Sequence, residues 1–322
     1  MALDIDSWNQ HALTNRLQTL LLLSVMGGLM LLLGYLLWEL EGIMILAITG
    51  ALLLLINPRF APQLIMRLYG AYPLSAHHAP LIHAAVRELS HRAELKAIPS
   101  LYYIPSSMLN AFSVGRPSDA SIALSDALLR ALDAEELIGV LAHEISHIRN
   151  NDMGVMGLAD MFSRMTSLMS LFGQVLLLLN LPLILLTETN INWFAILLLI
   201  LSPHLCALAQ LGLSRTREYD ADLNAVRLTG YPEGLARALV KIERAQGGWL
   251  ERIFFPGRKV PEPSLLRTHP PTEERVRRIM ELKIPENILP LHLLLDSESL
   301  AKLLNLRQVM RRPRWHINGL WH

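Results

Sequence analysis

Four stretches of the chain are almost continuously apolar, at residues 17–38, 42–56, 168–186 and 193–213. A helix needs ~20 apolar residues to cross a bilayer. The first and fourth stretches meet this alone; the second is short and draws on Leu40 and the residues after Asn57. Polar turns, Glu39-Leu40-Glu41 and Thr187 to Asn192, join the stretches in two pairs. The pattern therefore predicts two transmembrane hairpins.

Between the hairpins the pattern changes. Leu81, Ile82, Ala85, Val86 and Leu89 fall at helical spacing and predict a helix over 79–95. Short strands are predicted at 99–104, 110–114 and 121–124, with Pro117-Ser118-Asp119 as a turn. Asp133, with Glu136 three residues on, has the form of a capping box opening a helix. After the fourth stretch a helix is predicted over 214–229, ended by Gly230 and Pro232. Further helices follow at 232–244 and 272–282, separated by a mixed loop with Trp249, Phe254 and Phe255. The last stretch has amphipathic spacing (Leu300, Leu303, Leu304, Val309) and a basic, Trp-containing end. It reads either as a membrane-surface segment or as a docked or disordered tail.

Composition agrees with a mixed protein. The 322 residues are 52% hydrophobic and 18% charged, with a mean hydropathy of +0.33. That is too apolar for an ordinary soluble chain and too charged to be all membrane. The net charge of +1 offers no basic field for nucleic acid. A single cysteine, Cys206, excludes a disulfide within the chain. The apolar run at 17–38 is too long for a signal-peptide core, so it reads as a retained anchor. Neither hairpin turn carries Lys or Arg, whereas the opposite ends carry Arg16, Arg59, Arg67, Arg149, Arg164, Arg215 and Arg217. The positive-inside rule then places both termini and the central region in the cytoplasm.

The chemistry is concentrated in His143-Glu144-Ile145-Ser146-His147. On a helix, H-E-x-x-H sets two imidazoles one turn apart on one face, spaced for zinc. Glu144 is then placed to take a proton from an attacking water. Two histidines leave zinc short of a ligand. Ser214-Arg215-Thr216-Arg217-Glu218-Tyr219-Asp220-Ala221-Asp222 offers Glu218 as a third, oxygen ligand. Asp222, one turn further on, could accept the second ring N–H of a zinc histidine. Glu218 lies five residues past the fourth stretch, about 7–8 Å along a helix. His204 is about 21 Å from Glu218 on the same basis and reads as a polar group of the span. Gln174, Asn180 and Gln210 read as interhelical hydrogen-bonding groups, and Cys206 as a small buried apolar residue. His77, His78, His83 and His91 lack ligand spacing.

Four motifs in order resemble the HtpX-type integral membrane zinc metallopeptidases, a family related to the CAAX prenyl proteases. They are Asn110-Ala111-Phe112-Ser113-Val114-Gly115, the zinc helix from Leu137 to Asp152, the segment Ser214–Asp222, and Thr268-His269-Pro270-Pro271 running on to Arg275. The likeness covers about 15–285; Ser113 stands where the family usually has Ala. It implies one Zn2+ per chain held by His143, His147 and Glu218, with Glu144 as general base and Asp222 behind a ligand. It implies that Asn110, Ala111 and Phe112 lie on a strand that pairs with extended substrate. His269 would stand near the reacting carbonyl as an oxyanion stabiliser, and Arg275 would order the C-terminal segment as an ion-pair partner.

The resulting expectation is a mainly α protein: four transmembrane helices in two hairpins, with a zincin-like α+β catalytic domain containing a small β-sheet. Its regions would be an N-terminal hairpin (1–57), a cytoplasmic catalytic region (58–160), a second hairpin (161–213), the completion of the zinc site (214–285) and an extension (286–322). The resemblance implies a membrane-bound zinc endopeptidase of a bacterial inner membrane, active in stress response and protein quality control. Membrane-protein or peptide substrates and the lipid bilayer would be its partners, with no nucleic acid. The alternatives are a prenyl-protein protease and a non-catalytic membrane scaffold with a structural zinc site.

Overall fold

The computed structural model describes residues 5–56, 62–186, 192–245 and 270–282. These are mainly helical, with one small mixed sheet. They form two compact units. Of the described residues, one joins 5–10, 62–153, 217–245 and 270–282; the other joins 11–56, 154–186 and 192–216.

The first unit is built around a four-stranded sheet, β1 (Tyr72–Pro73), β2 (Ser100–Ile104), β3 (Ala111–Arg116) and β4 (Asp119–Ser125). The spatial order is β1-β2-β4-β3. β2 and β4 are parallel, and β3 pairs antiparallel with β4, Ala111 opposite Leu124 and Arg116 opposite Asp119. The two-residue Pro117-Ser118 turn closes this hairpin. Gly115, at φ +102°, lies where a Cβ would strike the Asp119 carbonyl, so only glycine suits the position. Central β4 is buried from Ala120 to Ser125, whereas β3 is an edge strand.

One face of the sheet packs on α3 (Pro80–Arg92), α4 (Asp126–Ala131), α5 (Ala134–Arg149), α8 (Pro232–Ala245) and the last part of α7 (Trp193–Thr229). Ile122, Leu124, Leu137, Leu141, Ile145, Val226 and Leu235 lie at the heart of this core. On the other face, Phe112, Val114 and Ala123 pack against Met66 of α2 (Pro62–Leu68) and against Tyr69. β1, α2 and α4 were not anticipated: each is too short to show a period, and α4 depends on Ser125, whose hydroxyl accepts the Leu128 N–H as N-cap.

α5 is buried along nearly its whole length. Its N-terminus is the capping box read from the sequence: the Asp133 carboxylate accepts the Glu136 N–H and the Glu136 carboxylate accepts the Asp133 N–H, both at 2.9 Å. Gly139 faces α8, where a Cβ would sit 2.7 Å from the Leu235 nitrogen, and Gly234 of α8 meets the Glu135 carbonyl in turn. The two backbones touch, so overpacking here cannot be relieved by a side chain. Gly139→Ala is expected to destabilise this unit by about 1–3 kcal/mol, seen as a lower melting temperature of the purified protein.

The second unit has its apolar groups outward. Among the described residues three helices are long and apolar enough to cross a membrane: 13–52, 152–182 and 193–229. The first lies in α1 (Ile5–Ile56), the others in α6 (Asp152–Leu186) and α7. Leu17, Leu20, Leu21, Leu178, Leu179, Leu197 and Leu208 are exposed, while Thr166, Ser170 and Ser202 are buried. Water would not tolerate such a surface, and a bilayer requires it. The chain is an integral membrane protein. Its interior joins Met26, Ala159, Cys206, Ala209 and Leu213. The Ser170 hydroxyl donates to the Leu199 carbonyl, and Gln174 donates to Ser170 at 2.9 Å. Cys206 is buried with its thiol 3.5 Å from Thr166 Oγ1. Asn180 bonds back to its own helix at the Leu176 carbonyl, and His204 is exposed on α7.

α1 was expected as two spans. It departs from helical geometry at Trp38 and at Glu39, where φ is +51°. A Cβ on Gly42 would collide with the carbonyl of Gly34, although eight residues of continuous helix span about 12 Å.

Candidate metal centre

α5 sets His143 and His147 on one face. Their Nε2 atoms converge to 3.0 Å, with the rings nearly perpendicular at 87°. α7 brings Glu218 to the same point: Oε2 is 3.5 Å from His143 Nε2 and Oε1 is 3.6 Å from His147 Nε2. One donor atom from each residue fits within a 4.8 Å span. Zinc with donors at 2.0–2.1 Å in a tetrahedron would hold them about 3.3 Å apart, so the two nitrogens and one carboxylate suit that ion in spacing and in chemistry.

The outward nitrogens are met by carboxylates. His143 Nδ1 lies 3.0 Å from Asp222 Oδ1, and His147 Nδ1 donates to Asp152 Oδ2 at 2.7 Å. Each imidazole is thereby turned with Nε2 inward. Burial pushes the His143 pKa down, but the Asp222 and Glu218 carboxylates outweigh it and bring it up to about 10. For His147, burial and the His143 charge act downward, and Asp152 and Glu218 prevail, again raising the pKa.

Two buried arginines stand behind these carboxylates. Arg275, on α9 (Thr272–Glu281), grips Asp222 with two hydrogen bonds of 2.7 and 2.6 Å, and its Nη1 lies 3.2 Å from Glu218 Oε2. Burial opposes its charge, while Asp222, Glu218 and Glu144 more than offset that and raise its pKa. Arg217 Nε donates to Asp152 Oδ1 at 2.6 Å and its Nη2 to Asp220 Oδ2 at 2.8 Å. Asn150 also donates to that Asp220 oxygen, at 2.8 Å.

Glu144 is buried beside the two histidines. Asn110 precedes β3, and its N–H donates to Ser125 Oγ at 3.0 Å. Ala111 and Phe112 open the edge strand, which runs along α5. The Phe112 ring is buried against Tyr69, at 4.8 Å between centroids, so its side chain belongs to the core. His269 lies outside the described residues, as do Trp249, Phe254, Phe255 and the tail from 286 on. Asp152, Asp220 and Asn150 have no role assigned from the sequence, and Arg217, counted there only among the arginines that set the topology, is buried. Their signal was membership of two of the motifs: Asn150 and Asp152 fall at the end of the Leu137–Asp152 segment, and Arg217 and Asp220 lie on either side of Glu218 in Ser214–Asp222.

Residues 76–283, more than half of the chain, match the profile of Peptidase family M48. The chain belongs to this family. It is similar to the protease HtpX homolog of Acaryochloris marina, with 34% identity over 296 residues, covering 84% of this chain and 95% of that protein. The protease HtpX homolog of Pyrococcus furiosus is 33% identical over 298 residues, covering 84% and 97%. This M48 chain is thus an HtpX-type membrane metalloprotease. A solved structure, that of Ste24p from S. mikatae, matches 84% of this chain and 66% of its own, just under two thirds, at 22% identity and a TM-score of 0.47.

Proposed function

We propose that the M48 chain cuts peptide bonds at the cytoplasmic face of a bacterial inner membrane, using one Zn2+ held by His143, His147 and Glu218. The observation that carries this reading is the convergence of three donor atoms within 4.8 Å, with a carboxylate behind each imidazole. A zinc ion bound there supplies a Lewis acid that polarises the scissile carbonyl and lowers the pKa of a water. Glu144 accepts the proton of the attacking water and passes it to the leaving amine. Asp222 and Asp152 keep the imidazoles oriented. Asn110 and the start of the edge strand, Ala111 and Phe112, pair through their backbone with extended substrate, which suits a protease that reads unfolded segments rather than one side chain. His269 is assigned to the oxyanion.

In this reading α1 is a hairpin broken at Trp38-Glu39, which with α6 and α7 gives four spans in two hairpins. The arginine distribution sets both termini and the catalytic region in the cytoplasm. Substrates are damaged or misassembled membrane proteins cut in cytoplasmic loops, as part of stress-linked quality control.

The test is proteolysis of an unfolded membrane protein by the full chain in detergent, with metal content measured. One zinc per chain, activity lost on chelation and activity regained with zinc are expected. Cleavage indifferent to chelation, or zinc-loaded protein that cuts no substrate offered, would count against the reading.

A further inference from the structure

We infer that Arg217, acting through Asp152, is a positioning residue for the metal ligand His147. The inference rests on the zinc reading above and extends it to residues given no part in the metal site.

The chain reaches this arrangement by a local device. α5 ends at Arg149, Asn150 keeps right-handed helical geometry, and Asn151 turns left-handed at φ +53°. Asparagine tolerates that conformation better than most side chains. The turn starts α6 at Asp152 and brings its carboxylate to the outward nitrogen of His147, five residues back. Helix spacing alone would not bring these two groups together, because α5 has already ended.

Asp152 is buried, and both of its oxygens are engaged. Oδ2 accepts from His147 Nδ1, and Oδ1 accepts from Arg217 Nε. The second face of the guanidinium is fixed by Asp220, which Asn150 holds from the other side. The carboxylate therefore has one orientation, and so does the imidazole it faces. Arg217 is itself buried and sits immediately before Glu218 on α7. One residue thus links the placement of two ligands carried by different helices, His147 on α5 and Glu218 on α7. The other imidazole has a parallel support, His143 to Asp222 to Arg275.

Removing the guanidinium leaves Asp152 free to rotate and its buried charge uncompensated, so His147 loses its fixed ring orientation. Losing such a support behind a zinc histidine costs about 10–100-fold in metal affinity or activity. Lysine keeps the charge but lacks the fork that reaches Asp152 and Asp220 together.

The test uses the full chain in detergent, wild type beside Arg217→Gln, Arg217→Lys and Asp152→Asn. Zinc affinity is read by chelator competition, and the cobalt-substituted protein gives the ligand-field spectrum. Expected are a loss of about 10–100-fold in zinc affinity for Arg217→Gln and Asp152→Asn, a changed cobalt spectrum, and an intermediate affinity for Arg217→Lys. Unchanged affinity and spectrum in folded Arg217→Gln would overturn the inference. If Arg217→Gln does not fold, Arg217→Lys decides: wild-type affinity and spectrum there overturn it too. A wild type that binds no zinc overturns the metal reading itself, and this inference with it.

Discussion

Glu144→Gln is expected to lower kcat for peptide cleavage by about 10²–10⁴-fold while the protein keeps its zinc. Gln preserves the length and shape of the side chain, so the packing around α5 has no reason to change. It cannot accept a proton from water, and that is the one property the proposed mechanism needs from this position. None of the three proposed ligands is touched, so metal content and chelator competition should match wild type. KM should change little, because Glu144 is not assigned to substrate binding. The measurement is a pair of steady-state assays on one substrate, with zinc quantified in both preparations. A mutant that cuts as fast as wild type would remove Glu144 from the mechanism. A mutant that loses zinc would show instead that this carboxylate helps to hold the ion.

How much of this could be read in the sequence depended on whether a residue's role was local. The capping box at Asp133 and Glu136 was legible because both partners lie within four residues and the hydrogen bonds follow from helix geometry. The pairing of His143 with His147 was legible for the same reason. Glu218 needed more, since it lies 71 positions beyond His147; position in a second motif supplied it. The carboxylate behind His147 was not legible. It depends on a left-handed residue at Asn151, which no periodicity signals.

Helix boundaries failed in an informative way. The change from apolar to charged residues at Leu213–Ser214 suggested the end of one helix and the start of another. α7 instead runs unbroken from Trp193 to Thr229. No proline interrupts that junction, Gly212 beside it does not break the helix, and Thr216 donates to the Gly212 carbonyl at 3.0 Å, as a helical threonine does. Polarity reports what surrounds a helix, whereas caps and breakers report where it ends. The same holds for α6, which begins at Asp152, well before the apolar stretch at 168. Pro182 and Pro203 are both inside helices, a pattern that membrane helices tolerate.

Arg275→Met should destabilise the apo protein strongly, by about 3–5 kcal/mol, because it takes the buried guanidinium from Asp222 and Glu218 and leaves only the imidazoles of His143 and His147 to meet both carboxylates. The guanidinium is itself buried, so no water replaces it, and methionine fills the space without supplying charge or donors. The loss in apparent melting temperature should be on the order of 10 °C, given a few degrees per kcal/mol for a domain of this size. Zinc-loaded protein should lose less, since a divalent ion at Glu218 meets one of the two charges directly. Arg278 is the control on the same helix. It stacks over the Tyr219 ring at 3.8 Å but is half exposed, so Arg278→Met should cost only about 0.5–1 kcal/mol. Both residues tie α9 to α7, so the comparison separates simple docking of the helix from charge balance at the metal. Equal, small shifts in the two variants would mean that the Arg275 pair contributes no more than a surface contact. A large Arg275 shift that zinc partly restores would identify α9 as an electrostatic component of the centre, delivered from a distant part of the chain.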